Sequence, residues 1–579
     1  MKLSTILYFA GFSSALPSLE SPKKFELNLS WETRAPDGVE RMQALVNGQF
    51  PGPPLLLDEG DKVEVTVNNY MPYNTTIHYH GIDQQGTSWS DGVPGVSQRF
   101  IPPGGQFISK FTVSQHGTYW QVSLYHSHTA GQLIDGLYGP IYIRPRTAAK
   151  DMANAMANDI PTRAQIYQAI KDPKLVMLSD WFHNTSEELQ QIAVDADIDT
   201  LCADSLLVNG KGRVRCVSPG YATSLVPPDF SALLQGQNYT VKGCLALDNT
   251  YAQTTYAKHN FSLVPPTMYD ICNATDAEEA TVSINNHSMW VYEVDGQYIQ
   301  PVQVDALTVA IGGRYSALVK LNNTAGDYPI LVANSGLNQK VAGRATLSYA
   351  NGDQTIYSTP SIDYGGNPVT SDVVILDENT IKPLVPNRPN QEADETYILD
   401  IGRYEKAWRW SLNGNDAYEL AMEADRPMLW DPTSQENSSL VISTKNNTWV
   451  DIIFKIVGDS TTLQPGHPLH KHSNPVYVIG FGLGEFTYGS VAEAIKEIPE
   501  MFNLVNPPVR DTFTSPAAFQ GPAWLAIRYH VQNPGAFFMH CHIQPHLSGG
   551  MALALLDGVD TWPTVPAQYG PEGHWGNAP

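Results

Sequence analysis

The sequence predicts an all-β protein built from three blocks, each the size of a β-sandwich. Short runs of β-forming residues, such as residues 63–67 and 440–442, recur between Gly, Pro, Asn and Asp from residue 24 onward. Regular short strands with turn signals are typical of sandwiches and barrels. The 579 residues, of which 42% are hydrophobic, suffice for three or four domains of ~150 residues each.

Two connectors separate the blocks. Residues 147–172 are polar and Ala-rich, and we expect one or two helices there, whereas residues 351–390 are rich in Pro, Gly, Asp and Ser. Each remaining block is long enough for one sandwich. The predicted organisation is a signal peptide at residues 1–15, followed by domains at residues 22–146, 170–350 and 390–579.

The N-terminus is typical of an exported protein. Lys2 precedes an apolar stretch at residues 3–12, and small residues ending at Ala15 provide a cleavage site. No later run of ~20 apolar residues follows, so we expect a secreted protein, extracellular or in the cell wall, that does not span a membrane. Ten Asn-X-Ser/Thr sequons agree with a secreted glycoprotein, at Asn28, Asn74, Asn184, Asn238, Asn260, Asn273, Asn286, Asn322, Asn437 and Asn446.

The composition argues against several other classes. A net charge of −23 repels phosphate backbones, so we expect no nucleic-acid partner. The sequence contains neither a phosphate-binding Walker loop nor a Gly-X-Ser-X-Gly elbow, so nucleotide and serine-hydrolase chemistry have no support.

The five cysteines fall into a cluster and one outlier. In an oxidising compartment the clustered four allow two disulfides, and the sequence leaves all three pairings open. Cys541 is then left over among histidines, where metal ligation is the obvious role. The clustered cysteines are Cys202, Cys216, Cys244 and Cys272.

Ten of the sixteen histidines lie in four tight groups, each containing a His-X-His pair. On a strand, residues i and i+2 face the same side, so each pair can hold a metal ion without distorting the backbone. The groups are His78 and His80; His126 and His128; His467, His470 and His472; and His540, His542 and His546. A structural or solvated role is expected for the isolated histidines, namely His116, His183, His259, His287, His530 and His574.

The fourth group also carries sulfur ligands. Cys541 points away from its histidine neighbours on a strand, so one strand can contact two metal centres. With His467, His546 and an axial Met551, Cys541 forms the ligand set of a blue-copper electron-transfer site. Zinc is the alternative metal, but zinc rarely needs eight further paired histidines.

In this order, the four groups resemble the copper-binding motifs of multicopper oxidases. Four further stretches are similar to fungal laccases, especially those of ascomycetes: residues 44–48, 86–92, 136–140 and 203–210. The resemblance spans residues 24–560. It implies three cupredoxin-like Greek-key sandwiches and four copper ions: one type 1, one type 2 and a type 3 pair. The implied ligands are His467, Cys541, His546 and Met551 for type 1, His78 and His470 for type 2, and His80, His126, His128, His472, His540 and His542 for type 3.

The resemblance also implies the activity. A laccase removes single electrons from phenols or diphenols and reduces O2 to water. The electron would enter at His546 or His467 and leave through Cys541. Pigment or secondary-metabolite biosynthesis is the expected setting, and we expect a monomer. Asp91 resembles the carboxylate that supplies protons near the trinuclear copper cluster, and Asp204 resembles an acid that receives the phenolic proton.

Several alternatives stay open. Both acids could be turn formers, and Met551 could simply fill the core. An ascorbate oxidase or a substrate-specific phenol-coupling oxidase would use the same coppers, whereas an electron carrier would need only the type 1 set. Residues 121–124 interrupt the usual laccase spacing before the second histidine group. A strand slip, a bulge or a misdrawn exon boundary would each explain this insertion.

Overall fold

The computed structural model describes residues 21–113, 122–199, 202–214, 217–226, 255–259, 268–272, 279–336, 339–349, 355–356, 359–419, 426–433, 438–457, 464–573 and 576–579. These residues form three successive β-sandwiches, each with two main sheets around an apolar core. The predicted signal peptide lies outside the described residues, as do Cys216, Cys244 and the side chain of Cys272.

The first sandwich follows the period-two pattern of a half-buried sheet. Its strands are β1 (Lys23–Arg34), β2 (Arg41–Val46), β3 (Leu55–Asp58), β4 (Lys62–Asn69), β5 (His78–Tyr79), β6 (Gln106–Thr112), β7 (Val122–His126) and β8 (Tyr138–Arg144). They form sheets ordered β2-β1-β4-β6 and β3-β8-β7-β5. In β4, Val63, Val65 and Val67 are buried while Glu64 and Thr66 are partly exposed, so alternate residues face the core.

Two helices lead from the first sandwich to the middle one, α1 (Ala148–Met156) and α2 (Ile160–Lys171), which confirms the helical connector. The middle strands are β9 (Lys174–Leu175), β10 (Leu178–Trp181), β11 (Ser205–Val208), β12 (Lys211–Gly212), β13 (Thr255–His259), β14 (Met268–Cys272), β15 (Ala280–Ile284), β16 (Met289–Val294), β17 (Gln297–Val304), β18 (Ala306–Val309), β19 (Tyr315–Lys320), β20 (Asp327–Asn334) and β21 (Ala342–Tyr349). The sheets are ordered β13-β21-β20-β15-β18, β17-β16-β19-β14-β9 and β10-β11-β12. Helices α3 (Ser186–Ala196) and α4 (Pro219–Ser224) lie between strands.

The third sandwich contains the last histidine groups. Its strands are β22 (Glu395–Arg403), β23 (Trp410–Ser411), β24 (Val441–Ser443), β25 (Trp449–Ile456), β26 (Pro468–Lys471), β27 (Val476–Leu483), β28 (Val509–Arg510), β29 (Thr512–Thr514), β30 (Ala523–His530), β31 (Gly535–Cys541) and β32 (Ala552–Asp557). Its helices are α5 (Val491–Glu497) and α6 (Gln544–Ser548). The sheets are ordered β23-β22-β25-β30-β27-β28 and β24-β32-β31-β26-β29.

The all-β prediction is confirmed. The domain limits at 22–146, 170–350 and 390–579 remain predictions, although each sandwich falls within one of them. Among the described residues, no helix is long and apolar enough to cross a membrane.

Candidate metal centre

Strand pairing brings the histidine motifs together. In the first sandwich, β5 and β7 pair with His78 opposite His126. In the third sandwich, β26 and β31 pair with His470 opposite His540. Because side chains two residues apart share a strand face, each pairing directs two motifs toward the same side of its sheet.

The motifs of both sandwiches meet in one buried site, which we call the histidine cluster. The rings of His80 and His470 stack with centroids 3.7 Å apart, and those of His78 and His472 stack at 3.9 Å. Each of these pairs joins the first sandwich to the third. The cluster consists of His78, His80, His126, His128, His470, His472, His540 and His542, all of them buried.

Burial keeps most of these imidazoles neutral. Loss of solvent is the main cause that lowers the pKa of His126 to about 3 and that of His540 to about 4. Burial, followed by repulsion from neighbouring histidines, lowers the pKa of five others well below its ordinary value: His80, His128, His470, His472 and His542. The neutral imidazole is the form that binds metal ions.

Hydrogen bonds fix which nitrogen faces inward. The Nδ1 atoms of His78, His126 and His470 donate to backbone carbonyl oxygens at 2.7, 2.8 and 2.9 Å. Their Nε2 atoms are buried without a hydrogen-bond partner among the described residues. A buried acceptor without a partner is costly, and a metal ion would satisfy several such lone pairs at once.

A second group of nitrogens converges beside the first. The ligand atoms of His128, His472 and His540 all lie within 4.8 Å of one another. Nε2 of His540 lies 3.2 Å from Nε2 of His128 and 3.4 Å from that of His472. The donor set and its unpartnered nitrogens therefore fit metal ions such as copper, which imidazole suits.

On the other side of β31 lies a sulfur-containing site, which we call the thiolate set: His467, Cys541 and His546. The Cys541 sulfur lies 3.9 Å from Nδ1 of His467 and 3.6 Å from Nδ1 of His546. All three residues, and Met551, are buried. Burial raises the pKa of the Cys541 thiol, so a bound cation is needed to hold it as a thiolate. Thiolate with two imidazoles fits copper.

Asp91 orients two cluster histidines through its contacts with their Nδ1 atoms. Its Oδ2 accepts a hydrogen bond from Nδ1 of His472 at 2.8 Å, and its Oδ1 lies 3.4 Å from Nδ1 of His78. The next residue, Gly92, has φ +86°, and a Cβ there would lie 2.0 Å from the Ile77 carbonyl oxygen. Glycine is therefore required for the backbone approach that places Asp91 at the cluster.

The middle sandwich also reaches the cluster, which the sequence analysis did not foresee. Nη1 of Arg314 lies 2.8 Å from Nε2 of His80, and the same guanidinium binds Asp511 through both of its ends, with Nη2 to Oδ2 at 2.6 Å. Gly312 has φ +75°, and a Cβ there would lie 2.7 Å from the His542 ring. Residues 311–315 contain no histidine or cysteine, so the sequence pattern there gives no sign of a contact with the cluster.

The second predicted acid, Asp204, has its described contacts with His183. Asp204 accepts a hydrogen bond from the His183 backbone at 2.7 Å and lies 3.6 Å from Nδ1 of that ring. No hydrogen bond or ion pair joins it to the thiolate set within the described part of the chain. Asp199 also lies near the thiolate set, with its Oδ1 3.6 Å from Nε2 of His546.

Three of the isolated histidines have ordinary structural contacts. His183 bonds Asp37 at 2.9 Å, His287 donates to or accepts from Tyr349, and His530 stacks on Trp449. His116, His574 and the side chain of His259 lie outside the described residues.

The strand carrying the second histidine group is regular where it is described. β7 pairs with β8 from Val122 opposite Tyr142 to His126 opposite Tyr138, with no shift in register. Part of the unusual insertion therefore forms strand, while residues 114–121 lie outside the described residues.

Comparison with known proteins gives the family. Models of the multicopper oxidase family match residues 28–148, 172–352 and 409–560. The chain belongs to the multicopper oxidase family. "Laccase abr2" of Aspergillus fumigatus is 41% identical over 571 residues, covering 94% of this chain and 95% of the relative. "Multicopper oxidase GIP1" of Gibberella zeae is 38% identical over 604 residues, covering 98% and 88%.

Solved structures support the same fold. The laccase from Botrytis aclada superposes with a TM-score of 0.69 at 22% identity, covering 94% of this chain and 89% of that one. The three sandwiches are thus the cupredoxin-like domains of a multicopper oxidase. Members of this family bind copper and are oxidoreductases that use O2 and a reducing substrate.

Proposed function

We propose that this multicopper oxidase is a laccase-like enzyme that takes single electrons from phenols or diphenols and uses four of them to reduce O2 to water. One observation carries the proposal. Three consecutive residues at the end of β31 and just beyond it serve both sites, because Cys541 belongs to the thiolate set while His540 and His542 belong to the histidine cluster. An electron carrier would have no use for the second site.

We assign four coppers to these residues. The type 1 copper would be held by the thiolate set together with Met551, and the type 2 copper by His78 and His470. The type 3 pair would be held by His80, His126, His128, His472, His540 and His542. When bound, the coppers supply one-electron transfer and the reduction of O2, which side chains alone do not provide.

The protein holds the ligand side chains in position, keeps them away from water and delivers protons. Cys541 is linked to each flanking histidine by a single peptide bond, which is a short covalent connection between the two sites. The cluster rings are held by backbone carbonyls and by Asp91, so their lone pairs point inward before any metal binds. Asp91 is the residue that we assign to proton delivery at the cluster, because its carboxylate is hydrogen-bonded to His472.

A cavity gives small molecules an approach to the cluster. It has a volume of about 750 Å³ and is lined by residues of all three sandwiches, including His128, Glu187, Tyr418 and Phe538. Helix α3 of the middle domain forms one wall of this cavity. We propose that O2 enters here, since His128 lines the cavity.

Oxygen uptake tests the function. Copper-loaded protein should consume O2 with a phenol such as 2,6-dimethoxyphenol faster than with ascorbate or Fe(II), and Cys541→Ser should abolish both the blue thiolate–copper absorption and the uptake. Preference for ascorbate would favour the ascorbate oxidase alternative. Blue protein that consumes no O2 with any of the three would contradict the proposal. Secretion, glycosylation, the disulfides and a monomeric state remain part of the proposed picture.

A further inference from the structure

The chain that follows the last strand of the third sandwich returns to the first sandwich. We call its described residues, 562–573 and 576–579, the C-terminal strap. Asn577 forms an antiparallel bridge with Gly105, and the backbone N–H of Gln106 donates to the Gly576 carbonyl oxygen at 2.8 Å. The strap therefore joins the third sandwich to the start of β6 in the first.

Tyr569 fixes the strap against the first sandwich and is only 6% exposed. Its hydroxyl donates to the Ile108 carbonyl oxygen at 2.8 Å, and Nε1 of Trp430 donates to the Tyr569 carbonyl oxygen at 2.9 Å. The Tyr569 ring stacks on Trp89, with centroids 5.8 Å apart and an interplanar angle of 20°. It also packs against Phe107 at 5.6 Å. A ring held at both its hydroxyl and its backbone provides a fixed surface for the Trp89 side chain.

Trp89 belongs to the turn that carries Asp91. Residues Ser88–Ser90 form one 3-10 turn, which the backbone N–H of Asp91 closes by donating to the Ser88 carbonyl oxygen at 3.1 Å. Gly535, the first residue of β31, lies so close to this turn that a Cβ there would be 2.6 Å from Cβ of Ser88. The turn is thus held by contacts with both the strap and β31.

Asp91 contacts the histidine cluster through its backbone as well as its side chain. Its carbonyl oxygen accepts a hydrogen bond from Nδ1 of His78 at 2.7 Å, and its Oδ2 accepts one from Nδ1 of His472 at 2.8 Å. A shift of the turn would therefore change the orientation of two rings at once. In the described part of the chain, no hydrogen bond or ring contact joins Tyr569 itself to the histidine cluster or the thiolate set.

We propose that Tyr569 is a positioning residue for O2 reduction, because it holds Trp89 and with it the turn that brings Asp91 to the histidine cluster. The inference rests on the proposed function and deepens it, since it adds the C-terminal strap to the groups that prepare the cluster. Tyr569 acts only through the turn, so its loss should affect the cluster and leave the thiolate set unchanged.

The test measures two rates on copper-loaded protein: reduction of the blue site by 2,6-dimethoxyphenol, and return of the blue absorption when dithionite-reduced protein meets O2. Tyr569→Leu keeps apolar bulk but loses the stacked ring. It should slow the return at least about tenfold, because a small misplacement of a catalytic group can cost ~100-fold. Reduction by the phenol should be unchanged. Tyr569→Phe, which retains the ring, should restore most of the wild-type rate.

The matched control is Tyr328→Leu in the middle sandwich. Tyr328 is also buried, donates its hydroxyl to the Thr324 carbonyl oxygen at 2.6 Å and packs on His287 and Tyr349. Tyr328→Leu should alter neither rate. If Tyr569→Leu does not fold, Trp430→Phe removes the N–H that holds the Tyr569 backbone and should also slow the return of the blue absorption. A wild-type rate in the variant that folds would overturn the inference.

A double-mutant cycle separates positioning from general damage. Because Tyr569 acts through Asp91, Tyr569→Leu should slow the return of the blue absorption by less than about twofold when it is added to Asp91→Asn. An equal slowing with and without Asp91→Asn, or the same loss in Tyr328→Leu, would overturn the inference.

Electron paramagnetic resonance provides a measurement that does not depend on turnover. Since Asp91 holds His78, Tyr569→Leu should change the signal of the type 2 copper that we assign to His78 and His470, and Tyr569→Phe should restore it. If the wild-type protein oxidises no phenol, or if Asp91→Asn reacts with O2 like wild type, the proposed function or the proton role of Asp91 fails. The type 2 signal still decides whether Tyr569 positions the turn, and an unchanged signal in Tyr569→Leu means that it does not.

Discussion

Replacing Arg314 by Met should damage the histidine cluster from a domain that contributes no motif histidine. The Arg314 side chain is 2% exposed and binds Asp511, approaches Asp295 within 3.5 Å and contacts His80. Methionine fills similar space but leaves the buried Asp511 carboxylate without its guanidinium. Removing one partner of a buried ion pair costs about 3 kcal/mol or more, which corresponds to a fall of ~6–12 °C in the melting temperature of a domain of this size.

The matched control is Arg528→Met. Arg528 is also buried and binds Asp451 through both ends, at 2.6 and 2.8 Å, but it lies within the third sandwich and contacts no cluster histidine in the described structure. Both variants should lose comparable stability in calorimetry. Only Arg314→Met should also lower the copper content per chain while the blue absorption of the thiolate set is retained.

Copper analysis and visible spectroscopy on the same samples separate the two effects. If Arg314→Met melts lower but binds copper like wild type, Arg314 is only a structural link between domains. If both variants lose copper equally, the loss follows from general destabilisation, and the argument for a specific contact with His80 is wrong.

Three further predictions follow from single residues. Met551→Leu should raise the reduction potential of the thiolate–copper site, and an unchanged potential in redox titration would exclude Met551 as the axial neighbour. Asp91→Asn should slow O2 consumption about 100-fold, the usual contribution of a positioned proton donor, while the blue absorption remains; full turnover would rule out the role. Burial acts to lower the pKa of His183, but the hydrogen bond to Asp37 and the charges of Asp204 and Asp37 outweigh it and raise the pKa above its ordinary 6.5. His183 therefore stabilises the fold fully when the pH is below 6.5, and this stabilisation is lost as the pH rises through the raised pKa. His183→Gln should lower the melting temperature at ~pH 5.5 more than at ~pH 9. An equal loss at both pH values would contradict the raised pKa.

The sequence predicted those parts of the molecule that local periodicity encodes. Alternating apolar and polar residues indicate a strand, and the two histidines of a His-X-His pair on a strand lie on the same face. The sequence motifs therefore predict the histidines of the cluster and the three residues of the thiolate set, and the structure brings each group together. The distance between Cys541 and His546 along the chain is only five residues, which is within reach of such reasoning.

Contacts between distant segments were not predictable in the same way. Arg314 contacts His80, which is 234 residues away in the sequence. The residues around an arginine in a strand do not indicate which distant side chain its guanidinium will contact. Asp199 and Asp204 are both acids near the end of α3, and only the docking of that helix on the third sandwich decides which of them faces His546.

These two missed residues assign a common role to the middle domain. It provides no copper ligand in our assignment, yet Arg314 touches the histidine cluster and Asp199 touches the thiolate set. A rigid shift of this domain would therefore change the surroundings of both sites at once, because each contact is made by a side chain with several further partners. We infer that the middle domain positions groups at both sites, so that loss of the Arg314 contact should first affect the histidine cluster and loss of the Asp199 contact should first affect the thiolate set.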